Sequence, residues 1–319
     1  MPSYEPESWN DGDKVQYGNN CYDYAIGRPS GKHPYKSQPG KAHGHELKNP
    51  CTCEDVTEGA LKDGLTKSNK DDACEQNCWK VALAVDPTDP GDYHWYRQDD
   101  DGKWSHKPGW GKATNQDFSD PPQEIDDPET SERDRYSHFC GYFCVCPERV
   151  TVAMVLTPAR ASLFANLTLR EKGLLVTRGL EVELPPGHLS IWYGNGETMF
   201  MPNKITVYAL IYSGRENPNW QLAEKDLETL RAKLIGLPRR ETEAAPKAGY
   251  QGFYLANLTG LPNLPPSVHV YHGCISMLDE KGKIARYEDS EHLEEWLMTL
   301  AGNLPVGSEI QGALAKSGG

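Results

Sequence analysis

WKVALAV at 79–85 and GDYHWYRQDDDGKWSHKPG at 91–109 decide how the N-terminal half of this 319-residue chain folds. The first stretch reads as a β-strand and the second as a β-hairpin around an Asp-Asp-Asp-Gly turn. With the turn centred on Asp100, cross-strand partners have numbers that sum to about 200. His94 then faces His106, and Tyr96 faces Trp104. Side chains alternate along a strand, so these four share one face. Directly opposed Cβ atoms lie roughly 4.5–5.5 Å apart.

Outward from the hairpin, NNCYDYAIG (19–27) reads as a short helix capped by Asn19 or Asn20 and ended by Gly27. Residues 53–65 place Val56, Ala60 and Leu61 at helical spacing, with Gly64 as the stop. Polar, Pro-rich loops are expected over 27–50 and 113–135. FCGYFCVCPERV closes an acidic, Cys-rich first domain at 148. Strands are read over 151–156, 173–184, 188–194 and 204–214, a helix over 222–238, and a strand pair near 267–288. A helix capped by Ser290 and a frayed tail follow. The fold class is α+β: domain 1–148, then 149–319 as one or two small α+β modules with a sub-boundary near 200 or 240.

The formal charge of −13 is unevenly spread. Residues 1–149 hold 28 Asp+Glu against 17 Lys+Arg, and the remainder 18 against 16. An acidic half disfavours nucleic acid, whose phosphates require a basic surface. It suits basic peptides, amines or divalent cations. No apolar run approaches the roughly 18 residues of a membrane span, so no membrane partner is expected. The opening MPSYEPESWNDGDK lacks the basic start and apolar stretch of a Sec signal. That points to the cytoplasm or to another export route, whereas the cysteines hint at the outside. Eight of nine precede residue 147: Cys21, Cys51, Cys53, Cys74, Cys78, Cys140, Cys144 and Cys146. Disulfides, free buried thiols and zinc at 74/78/140/144/146 all stay open. His33, His43 and His45 beside Cys51 and Cys53 form a further metal candidate.

Cys21 opens a helix, where backbone N–H groups and the macrodipole favour a thiolate. His94 is then the candidate base, with His106, Asn115 or Asp117 as its orienter. Asn20 and the N–H of Cys21 are oxyanion candidates. Tyr96 and Trp104 would flank a substrate. Asp99-Asp100-Asp101-Gly102 lacks the alternating ligands of a calcium loop and reads as a turn, so no metal or other cofactor is expected beyond weakly held calcium. Asn166-Leu-Thr168 and Asn257-Leu-Thr259 are sequons only on a eukaryotic secretory route. Ser213–Trp220 reads as a turn or a ligand segment.

The order Cys21, helix, His94, His106 resembles papain-like cysteine hydrolases of the NlpC/P60 and CHAP branches. That resemblance implies a papain-like domain that cleaves a peptide or amide through a thioester. NNCYDYA, SQPGKAHG, ALKDGL, DYHWYRQDDDGKWSHKPG and FCGYFCV resemble a family in bacteria and molluscs called insoluble matrix shell protein. This second resemblance implies secretion and mineral association. YSGRENPNW, GYQGF and YEDSEHLEEWL resemble a small uncharacterised bacterial module. Three functions are therefore carried forward: the hydrolase; an acidic, disulfide-stabilised matrix or calcium-binding protein; and a secreted effector or toxin. In the hydrolase the C-terminal part would recognise a substrate or protein partner, and in the effector it would serve delivery.

Overall fold

The computed structural model describes residues 1–11, 14–29, 36–88, 91–152, 154–156, 190–192, 198–200, 205–242, 249–257, 261–278, 283–305 and 307–317. Two compact units result. Among described residues, the first takes in 1–152, the strands up to 200 and the short segment Ser213–Glu216; the second takes in 205–212 and 217 onward. The expected strand at 173–184, His33 and the Asn166 sequon lie outside the described residues.

The first unit contains helices α1 (Lys14–Gly18), α2 (Cys21–Ala25) and α3 (Cys53–Lys62), and strands β1 (Thr66–Ser68), β2 (Trp79–Asp86), β3 (Asp92–Gln98), β4 (Trp104–His106) and β5 (His138–Val145). The strands form one antiparallel sheet in the order β1-β5-β2-β3-β4. All eight residues of β2 are buried. Val81, Leu83 and Val85 pack with Cys21, Tyr22, Val56 and Ala60, whereas Ala82 and Ala84 pack with Tyr96, Ile125 and Tyr136. A strand covered on both faces needs apolar residues at every position, which accounts for the run at 79–85. Of the α3 positions, Val56 and Ala60 are buried, but Leu61 points outward at 40% exposure.

The hairpin register differs from the expected one by two residues: Tyr96 pairs with His106, and Gln98 with Trp104. The loop is Asp100-Asp101-Gly102 with Gly102 at φ +83°, flanked by the hydrogen bond from Asp99 N to Lys103 O. This three-residue loop with a left-handed last position moves the centre to Asp101. An even shift leaves each side chain on its face, so His94, Tyr96, Trp104 and His106 still share one. Asp99 is a turn residue buried against Arg97 and Ser105.

Three disulfides, Cys53–Cys140, Cys74–Cys144 and Cys78–Cys146, tie α3 and the β1–β2 connection to β5 and its end. Cys74, Cys78, Cys140, Cys144 and Cys146, the expected zinc set, each spend their sulfur in a disulfide and have no thiolate left to ligate a metal. Cys21, Cys51 and Cys274 are free and buried. Strands β6 (Met154–Leu156), β7 (Ser190–Trp192) and β8 (Thr198–Phe200) form a separate three-stranded sheet.

The second unit is a six-stranded antiparallel sheet of β9 (Thr206–Ala209), β10 (Asn219–Gln221), β11 (Phe253–Ala256), β12 (Ser267–Tyr271), β13 (Cys274–Leu278) and β14 (Ile284–Glu288), ordered β10-β9-β11-β12-β13-β14. Helices α4 (Glu224–Lys233), α5 (Leu293–Gly302) and α6 (Gly307–Ser317) contribute Leu230, Leu293, Leu297, Ala301 and Ile310 to a core with Val207, Phe253, Leu255, Val270 and Ile275. The tail expected to fray is helical, with Ile310 buried. The N-cap position of α5 is His292, not Ser290, and the first-turn N–H groups are held by Asp289, whose carboxylate accepts from Leu293 N at 2.7 Å and Glu294 N at 2.9 Å.

Candidate functional site

The short α2 carries Cys21 at its first position. Asn20 caps it with a reciprocal box: Asp23 N donates to Asn20 Oδ1 at 2.9 Å, and Asn20 N donates to Asp23 Oδ2 at 3.0 Å. The Asn20 N–H is thus consumed and holds no oxyanion, contrary to expectation. Its side-chain Nδ2 instead donates to Ser37 O and Gly214 O.

The Cys21 thiol is fully buried and donates to Tyr93 O at 3.8 Å. Burial, then the negative Asp92 nearby, pushes its pKa up to about 12, against the opposing pull of the Trp95 N–H, Lys36 and the Ser213 dipole. A helix N-terminus was expected to favour the thiolate. Here the helix has only five residues, and desolvation outweighs its dipole.

Cys21 and His94 do not bond directly. Cys21 clusters with Tyr93 and Trp95, and alternation along β3 puts His94 on the opposite face, among Tyr96, Phe118 and Tyr136. His94 Nε2 lies 2.7 Å from His106 Nδ1, and His106 Nε2 lies 2.8 Å from Gln116 O. A carbonyl only accepts, so His106 carries its proton on Nε2 and accepts on Nδ1. His94 therefore donates from Nε2, and its Nδ1 accepts from the Ser213 hydroxyl at 2.9 Å. Gly109 N donates to the same hydroxyl at 2.8 Å. A neutral chain thus runs Ser213–His94–His106–Gln116. Burial in the aromatic box lowers the pKa of His94 well below its ordinary value and that of His106 to about 4.

The other expected orienters stand elsewhere. Asn115 donates to Glu124 Oε1 at the surface, and Asp117 is occupied by Ser119, Gln123 and Glu132. The Thr114–His106 bridge brings a backbone carbonyl, that of Gln116, to the ring instead. The Tyr96 ring stacks on His106 at 5.2 Å, and Trp104 packs against Tyr142; both are buried in the sheet's second core. The proposed histidine–cysteine metal group does not assemble: His45 bonds Asp55 O, His43 lies near Asp63, and Cys53 is in a disulfide.

Sequence reasoning missed two buried lysines and Asp92. Lys107 Nζ donates to the carbonyls of Gln16, Asn19 and Gly109, and burial lowers its pKa to about 7. Lys36 donates to Ser213 O at 3.2 Å, with its pKa lowered by burial to about 8. Asp92 accepts from Tyr136 OH and from three successive backbone N–H groups, those of Ser213, Gly214 and Arg215. A charged residue at the start of an aromatic strand was the available signal. Its partners, some 120 residues away, were not.

No family model matches the chain, and no solved structure matches it, so the papain-like expectation gains no support from either. Insoluble matrix shell protein 1 of Ruditapes philippinarum is 41% identical over 144 residues, which is 45% of this chain and 90% of that protein. On that identity and that coverage, the chain belongs to the family of insoluble matrix shell protein 1.

Proposed function

We propose that the protein is a non-enzymatic, acidic, extracellular matrix component whose first unit is held by disulfides. The observation that carries this reading is the sealing of the constellation of catalytic residue types around Cys21, His94 and His106. Cys21 is enclosed with its pKa raised to about 12, and both ring nitrogens of His94 and of His106 are engaged in a neutral chain. The name of the shell protein, an insoluble matrix component, supports the reading. So do three disulfides, which persist in oxidising surroundings. Calcium enters as a weakly held partner of exposed carboxylates such as Asp100, Asp101 and Asp126.

The test is iodoacetamide labelling of the native protein from pH 5 to 8, read by peptide mapping. Six cysteines are expected in three bridges, with Cys21 unlabelled throughout. Selective labelling of Cys21 below pH 7, abolished by His94→Ala, would overturn the reading. Millimolar calcium is expected to raise the melting temperature slightly.

One feature favours a second reading, a peptide or amide hydrolase. Ser213 Oγ bonds His94 at 2.9 Å and also bears on the Cys21 thiol, whose pKa it lowers against burial. Turnover of a peptide or amide that His94→Ala abolishes is the result that would establish it.

A further inference from the structure

Ser213–Glu216 packs as part of the first unit although its neighbours in sequence belong to the second. Its backbone is read almost wholly by side chains. Asp92, fully buried, accepts from Ser213 N at 2.7 Å, Gly214 N at 3.2 Å and Arg215 N at 3.0 Å. Gly214 O accepts from Asn20 Nδ2 at 2.8 Å, Gln38 Nε2 at 2.8 Å and Tyr93 OH at 3.0 Å. Lys36 Nζ donates to Ser213 O. Ordinary interior strands satisfy such groups with a neighbouring backbone ladder. A fixed set of side-chain donors and acceptors aimed at a short bent segment, whose three successive N–H groups converge on one carboxylate, is how a protein grips a peptide turn.

The positions are also selective. A Cβ at Gly214 would stand 2.4 Å from Tyr93 O and 2.5 Å from the Tyr93 ring, so only glycine fits. Position 213 accepts a small hydroxyl between His94 and Gly109. Arg215 Nη1 donates to Asn49 Oδ1 and Gly91 O, both at 3.1 Å, and Glu216 lies 3.8 Å from Lys41. Cleft and occupant are separable in sequence as well. The stretch shared with the shell protein is 144 residues long, and Asn20 and Gly214 are 194 apart, so that stretch holds at most one side of the contact.

We infer that the first unit carries a recognition cleft for a bent Ser-Gly-Arg turn, filled in this chain by its own Ser213–Glu216 and able to take the same sequence from another polypeptide. The inference goes beyond the matrix reading and does not depend on it. Emptying the cleft uncovers Cys21, which serves as the reporter.

The experiment compares full-length wild type with Gly214→Val, whose side chain collides with Tyr93. Two quantities are read: iodoacetamide labelling of Cys21, and anisotropy of a fluorescent Tyr-Ser-Gly-Arg-Glu-Asn peptide. Wild type is expected to keep Cys21 silent and to ignore the peptide. The variant is expected to label Cys21 at least about 10-fold faster, a loss of roughly one decade in local closure. It should also bind the peptide saturably and regain protection of Cys21, while a Tyr-Ser-Val-Arg-Glu-Asn peptide does neither. An exposed Cys21 that the peptide fails to protect, or a Cys21 that stays silent, overturns the inference. Circular dichroism and the three disulfides report folding. If Gly214→Val does not fold, Arg215→Ala, which removes the Asn49 and Gly91 contacts, is judged by the same two readings.

Discussion

In the first unit, the helix over Cys53–Lys62 is bonded through Cys53 to Cys140 on the sheet, and a buried chain of polar groups runs from Ser213 to Gln116. In the second, the helices rest on the sheet through Leu230, Leu293, Leu297 and Ile310, and Cys274 stays a thiol. The first unit encloses Asp23, Asp92, Lys36, Lys107, His94 and His106, whereas among the described residues of the second no Asp, Glu, Lys, Arg or His is buried. Buried polar groups hold a structure only while their partners stay in place, and cross-links that restrict the unfolded chain keep them there. An apolar core needs no such help. The difference teaches where each unit is vulnerable.

The largest expected effect comes from reduction. The three bridges span 87, 70 and 68 residues. Each is expected to contribute about 2–4 kcal/mol, with overlapping loops less than additive. Dithiothreitol should therefore abolish hydrogen-exchange protection in β2, β3 and β5 while β9, β11, β12 and β13 keep theirs. Loss of protection in both sheets together would break the comparison. The complementary change is Leu297→Ala, which removes a fully buried side chain from the second core. It should cost about 2–5 kcal/mol and lower protection in the second sheet alone.

Much of this contrast was legible in the residues. WKVALAV and the hairpin announced themselves because local alternation and an Asp-Gly turn are short-range signals. The register escaped by two because only the left-handed φ of Gly102 distinguishes a three-residue loop from one centred on Asp100. Cys21 and His94 stand out in the sequence by their address, one opening a helix and one inside an aromatic strand. Their separation across β3 needed the pairing of that strand, and Ser213 lies 119 residues from His94, beyond any local pattern. Leu61 misled because helical spacing names a face without saying whether anything covers its edge. The disulfide partners, each some 70–90 residues apart, follow from sheet order, which cysteine spacing does not encode.

Acid should discriminate between the units next. The folded first unit holds His106 at about 4 and His94 well below its ordinary value, and unfolded histidines titrate near about 6.5. The unfolded chain therefore binds more protons between these values. The stabilisation is fully present above about 6.5 and is lost as pH falls through about 4, on the order of 3 kcal/mol for His106. Asp23 and Asp63 work in the opposite sense, since burial raises them to about 6 and about 7. Their contribution is present below the ordinary carboxylate range and lost as pH rises through those values. Imidazole nitrogen shifts isolate the histidines: both rings should keep the Nε2–H neutral form down to pH 5. Protonation of either ring above pH 6 would mean the polar chain is open to water.

The smallest expected effect sets two helix caps against each other. Thr52 Oγ1 accepts from Asp55 N at 3.2 Å at the start of α3, and Asp289 accepts from two N–H groups at the start of α5. Removing such a cap typically costs about 1 kcal/mol because the first-turn donors lose their acceptor and the turn frays. In α3, Cys53 occupies the first helical position and is tied to Cys140, so fraying is limited by the cross-link. Asp289→Ala should therefore cost more than Thr52→Ala in denaturant melts of the oxidised protein. Its two acceptor bonds and its charge at the helix N-terminus act in the same direction. Mutating both members of the bridge, Cys53→Ala with Cys140→Ala, removes the anchor, and the cost of Thr52→Ala in that background should rise to the usual cap value. An unchanged cost would mean that α3 is held at its start by packing of Val56 and Ala60 alone, as the second unit's helices are held by their leucines.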